Sequence, residues 1–295
     1  MQPCLIFNPF AKGQKAKAFR SRLASLYPDC IVRLTRGPGD ARQLAAQAAR
    51  DGFGTIIAAG GDGTANEVVN GIADVPQALA SVRLGIFPLG TINVFARELG
   101  LPRDLPGAAR ALKAGRELTV DLGRAEFTAD GHGQCRHFLQ LAGAGLDARA
   151  VELVSWELKK KTGPLAYVVA ALKALQEKQP VIEVKGAEAV SGQLVLVGNG
   201  RYYGGSFEVF PAASLRDGLL DVCVLPTVNA WRPPQLALGL LTGRVHRFWA
   251  VRQFRSSTVT LRSSARVGLQ LDGEFAGELP ATFSVRPQAL RVIVP

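Results

Sequence analysis

Four times between Cys4 and Leu99 a short apolar run gives way to an amphipathic segment. CLIFN precedes Lys15 to Leu26, IVRL precedes Asp40 to Arg50, TIIAA precedes Ala65 to Ile72, and RLGIFP precedes Asn93 to Leu99. Strands that alternate with helical segments imply crossover units and a mostly parallel sheet, whose ligands collect at the carboxyl ends of the strands. Asn8, Thr35, Gly60 to Asn66, and Gly90 to Thr91 each fall just after one of these runs, so four loops are expected to converge on one crevice. After Gly123 the pattern changes to strand-like runs, HFLQLA, VIEVKG, QLVLVGN, LLDVCVL and TVTLR, separated by glycine, serine and proline. The expected fold class is α/β plus β-rich. Residues 1–123 are expected to form an α/β domain, and residues 124–295 an antiparallel, sandwich-like domain with helices inserted at about 145–158 and 164–176. The last run, Leu290 to Val294, is assignable to either domain. With no long linker, a cleft between abutting domains is the natural place for chemistry.

A chain of 295 residues, 47% hydrophobic, can bury a sizeable core and fits two domains better than one. No run of about 18 apolar residues occurs, and the five-residue apolar segment near the start is too short for a signal peptide, so a cytoplasmic location is expected. Cys4, Cys30, Cys135 and Cys223 form no CxxC pair, and His132, His137 and His246 lie in no metal or triad pattern. Reduced, mostly buried thiols follow. The formal charge of +11 favours a polyanionic partner: nucleotide phosphates, an anionic membrane surface or nucleic acid. Trp156 with Lys159 to Lys161, and RVHRFWAVRQFR from Arg244 to Arg255, interleave basic and aromatic residues. That pattern suits either a solvated basic face or peripheral attachment to anionic lipid at the inner face of the membrane. No nucleic-acid module motif accompanies it, so nucleic acid is not expected as a partner.

The stretch AAGGDGTANEVVNG, Ala58 to Gly71, joins the third apolar run to a helix through Gly60, Gly61 and Gly63. Glycines there let a phosphate chain approach the backbone, and the helix from Ala65 onward can aim N–H groups at negative charge. Asp62 is placed to bind Mg²⁺ directly or through water. A tight glycine-rich turn is the plain alternative. No GxxxxGK[ST] loop is present, so the nucleotide is not held in the Walker manner.

Further motifs follow in order: FPLGTINVFARELGLP at Phe87 to Pro102, VDLGR at Val120 to Arg124, NGRYYGGSFEVFPAASLRDGLLDV at Asn199 to Val222, and LDGE ending at Glu274. Together with GGDGTANE they resemble the bacterial diacylglycerol kinase and lipid kinase family over most of the chain. The resemblance implies an ATP-binding α/β domain, a β-sandwich lipid-acceptor domain and an active site between them. It implies an ATP site of Asn8, Thr35, Gly60, Gly61, Asp62, Gly63, Thr64, Ala65, Asn66 and Thr91, with Glu274 as general base. Asp62 and Asp121 would organise Mg²⁺ at the phosphates. A second, structural Mg²⁺ would be held by the Asp217 side chain and the backbone carbonyls of Ser214 and Leu219, oxygen donors that suit a hard cation. A lipid acceptor, an anionic membrane surface and a homodimer are the partners this reading carries.

Relatives of this kind commonly carry GTGND, whereas Gly90-Thr91-Ile92-Asn93-Val94 stands here, with valine at the acidic position. Gly143-Ala144-Gly145-Leu146-Asp147-Ala148 matches a GxGxxA dinucleotide fingerprint, but lacks the following parallel strand and acidic residue that such a site needs. Two rival functions stay open. NAD kinase shares GGDGT and a two-domain plan, and a non-catalytic lipid- or nucleotide-binding protein would explain Val94.

Overall fold

In the computed structural model, which describes residues 2–11, 14–153, 170, 173–205, 207–226 and 251–295, the chain divides into two units. One comprises Met1–Leu122 with Pro287–Pro295 and the other Gly123–Arg286.

The first unit follows the alternation of its sequence. Its elements are β1 (Cys4–Phe7), α1 (Gln14–Leu26), β2 (Ile31–Leu34), α2 (Asp40–Arg50), β3 (Thr55–Gly60), α3 (Asp62–Ala73), α4 (Ala78–Ser81), β4 (Arg83–Pro88), α5 (Val94–Glu98) and α6 (Leu105–Ala114). Strands β2, β1, β3 and β4 lie side by side and parallel. The run Leu290 to Val294 extends this sheet beyond β4, with Arg291 opposite Arg83 and Val292 opposite Leu84. Every residue of β1 and β3 is buried, as expected of parallel strands covered on both faces. On one face Leu5, Phe7, Ile57, Ala59 and Phe87 pack with Phe19 of α1 and with Leu105, Ala108 and Leu112 of α6. On the other, α2 and α3 meet closely at Gly71, where a Cβ would stand 2.9 Å from that of Ala45. Helix α6 was not anticipated from periodicity. Its ends are nonetheless written locally, since the Asp104 side chain accepts from Gly107 N at 2.7 Å and Gly115 closes the helix at φ 65°.

The second unit takes in β5 (Arg116–Ala129), which begins in the first, then β6 (His132–Phe138), β7 (Leu141–Gly145), α7 (Leu146–Leu153), β8 (Ile182–Lys185), β9 (Ala189–Gly192) and β10 (Leu194–Gly198). There follow β11 (Tyr202–Tyr203), β12 (Phe207–Glu208), β13 (Leu220–Leu225), β14 (Arg252–Ser256), β15 (Thr258–Arg262), β16 (Gly268–Leu271) and β17 (Glu274–Val294). Strands β14, β13, β10, β7, β16 and the start of β17 form one antiparallel layer. Further along, Ala281 to Ser284 of β17 pair with β15, which pairs with β8 and so with β9. Between the layers lie Ala142, Val195, Val197, Val222 and Leu269 from the first, and Val184, Val259, Leu261 and Phe283 from the second. Alternate residues of the first layer, Leu194, Leu196, Cys223 and Leu225, pack outward with Leu146 of α7 and Phe210. This is a β-sandwich with one layer buried on both faces.

Two expectations need correction. HFLQLA is not one strand: β6 ends at Phe138 and β7 starts at Leu141, because the N–H groups of Leu139, Gln140 and Leu141 turn toward the Asp272 carboxylate. VDLGR lies in the interior of β5, which runs on to Ala129. The four thiols are all free, yet Cys135 is exposed. Of the anticipated inserted helices, α7 covers the described part of the first, and most of 164–176 lies outside the described residues. So do Trp156, Lys159 to Lys161, and residues 244–250 of the basic, aromatic stretch.

Candidate functional site

Parallel register brings four loops of the first unit to one level. Asn8 N donates to Ala59 O at 3.0 Å, Thr35 N to Phe7 O at 3.0 Å, and Leu89 N to Gly60 O at 2.8 Å. The residues after β1, β2, β3 and β4 therefore share one end of the sheet. Asn8 Nδ2 donates to Thr64 Oγ1 at 3.2 Å, while Asn8 Oδ1 accepts from Phe10 N at 2.9 Å. One asparagine thus ties its own turn to the first turn of α3.

Glycine at this level is required by contact. A Cβ on Gly60 would stand 2.6 Å from Thr64 Cβ, and one on Gly90 would stand 2.6 Å from Gly61 Cα. Both are closer than real Cβ contacts, so the two loops approach this closely only because Gly60 and Gly90 carry no side chain. Helix α3 starts at Asp62 after Gly61, with no side chain capping it, and its first turn presents backbone N–H groups to this loop level. The Asp62 carboxylate accepts from Phe95 N at 3.2 Å, at the start of α5. Asn93, at φ 56°, closes the preceding loop by accepting from Gly90 N at 3.0 Å and donating to Gly90 O at 2.7 Å. Val94 is the first residue of α5. Thr35, Thr64, Ala65 and Asn66 are buried, Gly63 is half-buried and Thr91 is exposed.

The remaining signature residues act at longer range. Glu67 accepts from Gly39 N at 2.9 Å and Ala41 N at 3.0 Å, so α3 supplies the cap that α2 lacks of its own. Asp121, buried in β5, accepts from Gln288 N at 2.7 Å and so braces the backbone that leads into the strand beside β4.

In the second unit Glu274 opens β17, and its carboxylate lies 3.9 Å from Arg136 Nη2. The turn before it is left-handed at both positions, with φ 49° at Asp272 and 85° at Gly273. Asp272 accepts from Leu139 N at 2.7 Å, Gln140 N at 2.9 Å and Leu141 N at 3.0 Å. One carboxylate holding three N–H groups fixes the turn to the break between β6 and β7. Asp217 Oδ1 accepts from Leu219 N at 3.1 Å, and Ser214 Oγ from Arg216 N at 3.3 Å. Arg255 lies between two carboxylates, with Nη1 3.7 Å from Asp217 Oδ2 and Nε donating to Asp221 Oδ1 at 3.1 Å. Burial pushes the Asp221 carboxyl above its usual range; Arg255 opposes the rise and Asp217 adds to it. Asp221 Oδ2 is buried with no hydrogen-bond partner among the described residues. Among the described residues, two carboxylates stand against one guanidinium here, a negative balance.

Sequence reasoning assigned no role to Asn93, Asp272 or Gln270. Asn93 and Asp272 stand inside motifs already noticed, GTIN and LDGE, and a loop-closing Asn or Asp is a recognisable signal. Gln270 offers none, being one polar residue in an apolar strand. Among the described residues, no group of three or more His, Cys, Asp and Glu is arranged to hold a metal.

Residues 2–125 match the model of the diacylglycerol kinase catalytic domain. Residues 140–294 match that of the YegS C-terminal NAD kinase beta sandwich-like domain. The diacylglycerol kinase of Bacillus subtilis (strain 168) is 34% identical, over 99% of this chain and 95% of that protein. The "Probable lipid kinase YegS-like" protein of Pseudomonas aeruginosa (strain UCBPP-PA14) is 35% identical, over 90% of this chain and 85% of its own length. Among solved structures, a diacylglycerol kinase from Bacillus anthracis str. Sterne shares the fold with a TM-score of 0.71 at 21% identity, over 100% of this chain and 97% of that one. Yeast NADH kinase complexed with NADH does so at 0.57 and 10% identity, covering 100% and 84%.

Proposed function

Given that the chain belongs to the diacylglycerol kinase family of lipid kinases, we propose that it transfers the γ-phosphate of ATP, with Mg²⁺, to the hydroxyl of a diacylglycerol-like lipid. The observation that carries this reading is the gathering of Asn8, Thr35, Gly60 to Asn66 and Gly90 at one end of a parallel sheet. Backbone meets backbone there without a side chain between. A phosphate chain laid across Gly60, Gly61 and Gly90 meets N–H groups at the start of α3, where negative charge is favoured.

Phosphoryl transfer asks a protein mainly for positioning and charge stabilisation, together with a base for the attacking hydroxyl. Glu274 is that base in this reading, its carboxylate exposed at the head of β17. It takes the hydroxyl proton as the oxygen attacks the γ-phosphorus and ADP leaves. The carboxylates of Asp62 and Asp121 are hard oxygen donors and would hold Mg²⁺ at the phosphates. The buried, unpartnered Asp221 Oδ2 and the negative balance beside it fit a cation at Asp217 with the carbonyls of Ser214 and Leu219. Bound Mg²⁺ supplies charge neutralisation at the phosphate oxygens and, at Asp217, a brace for the loop. No helix of the described residues is long and apolar enough to cross a membrane, and the net charge of +11 suits docking on anionic lipid.

The test is transfer of label from ATP to a panel of diacylglycerol, monoacylglycerol, phosphatidylglycerol, sphingosine, ceramide and NAD, with Glu274→Ala and Asp62→Ala alongside. We expect a labelled lipid, with label reduced about a hundredfold or more in either variant. Labelled NAD with no labelled lipid would move the chain to the NAD kinase reaction. ATP binding with no labelled acceptor would argue for a binding protein.

A further inference from the structure

The run Gly143 to Ala148 has no part in nucleotide binding as read above, yet it places a carboxylate deep within the second unit. Asp147, at the start of α7, is 5% exposed. Gly143 makes the room, because a Cβ there would stand 2.8 Å from Asp147 Cγ and 2.7 Å from Gln270 Nε2. Two side chains from distant segments meet this carboxylate. Tyr203 Oη hydrogen-bonds Oδ1, and Gln270 Nε2 donates to Oδ2 at 2.7 Å. Gln270 Oε1 in turn accepts from Gly273 N at 2.7 Å. Gly273 immediately precedes Glu274.

Chemistry fixes the direction of this chain of bonds. A backbone N–H can only donate, so Gln270 must turn its oxygen to Gly273 and its amide nitrogen to Asp147, which offers an acceptor. The flipped amide would set donor against donor at one end and acceptor against acceptor at the other. Gln270 therefore has one satisfied pose, which the Gly273 N–H and the Asp147 carboxylate select together. The left-handed turn at Asp272 and Gly273 is held on one side by the three N–H bonds of Asp272 and on the other by Gln270.

We propose that Asp147 and Gln270 are positioning residues for Glu274: the buried carboxylate orients the Gln270 amide, and the amide holds the Gly273 N–H that aims the Glu274 side chain. The inference rests on the reading of Glu274 as the base. It gives the GxGxxA-like run a purpose unrelated to dinucleotides, as a socket for a carboxylate. Through Tyr203 it also joins the motif at Asn199 to Val222 to the turn that carries the base.

A reciprocal swap tests it, with steady-state transfer to diacylglycerol measured on the full chain. Gln270→Glu alone sets two carboxylates against each other, and kcat should fall about tenfold or more with KM for ATP unchanged. The pair Asp147→Asn with Gln270→Glu rebuilds every bond. The carboxylate introduced at position 270 accepts from Gly273 N and from the amide introduced at position 147, whose oxygen faces Tyr203. The kcat of the pair should return to within about threefold of wild type, since coupled neighbours do not add. A paired variant as slow as Gln270→Glu, or a single variant with wild-type kcat, overturns the proposal. Gln270→Met, which keeps the volume and removes both bonds, covers the case in which Gln270→Glu does not fold. Its kcat should drop in the wild-type background and lose nothing further beside Glu274→Ala; an equal further loss there overturns the proposal. Wild-type kcat in Glu274→Ala would remove the base assignment itself. An inactive Glu274→Ala beside a fully active Gln270→Met would remove only the positioning role.

Discussion

An enclosed carboxyl group holds its proton beyond the ordinary range, and Asp147 does so: burial pushes it above 3.8, while bonds to Tyr203 and Gln270 pull the other way. The folded chain thus keeps this proton to higher pH than the unfolded chain does. Stability from this residue is full below 3.8 and is lost as pH rises from there through the folded value. Urea unfolding at a series of pH values should therefore show wild type losing ground to Asp147→Asn as pH increases. Parallel stability curves would show that the carboxyl does not titrate differently in the two states. Burial acts on the thiols in the same sense, pushing Cys4 and Cys223 up to about 11. Both stay protonated near neutrality and are poor nucleophiles.

One helix of the first unit depends on another for its start. Gly39 precedes α2 without a capping side chain, and the Glu67 carboxylate of α3 takes the N–H groups of Gly39 and Ala41 instead. Glu67→Ala should cost about 1–2 kcal/mol, read as a lower urea midpoint at unchanged slope; an unmoved midpoint would mean that water serves those N–H groups equally well. The range of α2, Asp40 to Arg50, was legible from periodicity alone, as were β2 and the runs that became β3 and β4. Each is written in local pattern, and β3 and β4 are in addition buried along almost their whole length, whereas β2 is largely exposed. Strand β17 was not legible beyond its last run, because Gly277, Pro280 and Pro287 punctuate it like loop residues. What holds it extended is pairing with β16 and β15, which precede it, and with β4, which lies far earlier in the chain. The candidate site divides in the same way. The glycines and Asp62 announce themselves as a motif. Gln270 does not, and although Asp272 stands inside LDGE, the N–H groups it holds lie up to 133 residues away and leave no periodic trace.

For the molecule as a whole, the first unit is discontinuous in sequence. Residues 287–295 add a strand beside β4, with Leu290, Val292 and Ile293 almost fully enclosed, and supply the Gln288 N–H that Asp121 holds. Burying three such side chains contributes about 5–9 kcal/mol, comparable with the net stability of a domain, roughly 5–15 kcal/mol. A chain ending at Arg286 should therefore show amides of residues 4–122 exchanging freely while those of the second unit stay protected. Protection of β1, β3 and β4 in that truncated chain would show that the added strand is dispensable. Chain growth gives the same feature another consequence. At about 5–20 residues per second, the ribosome needs roughly ten to forty seconds between finishing β4 and delivering the strand that flanks it. Throughout that interval the nascent sheet carries an open edge, the kind of surface that recruits other chains. The unit that comes first in sequence is the second to be completed.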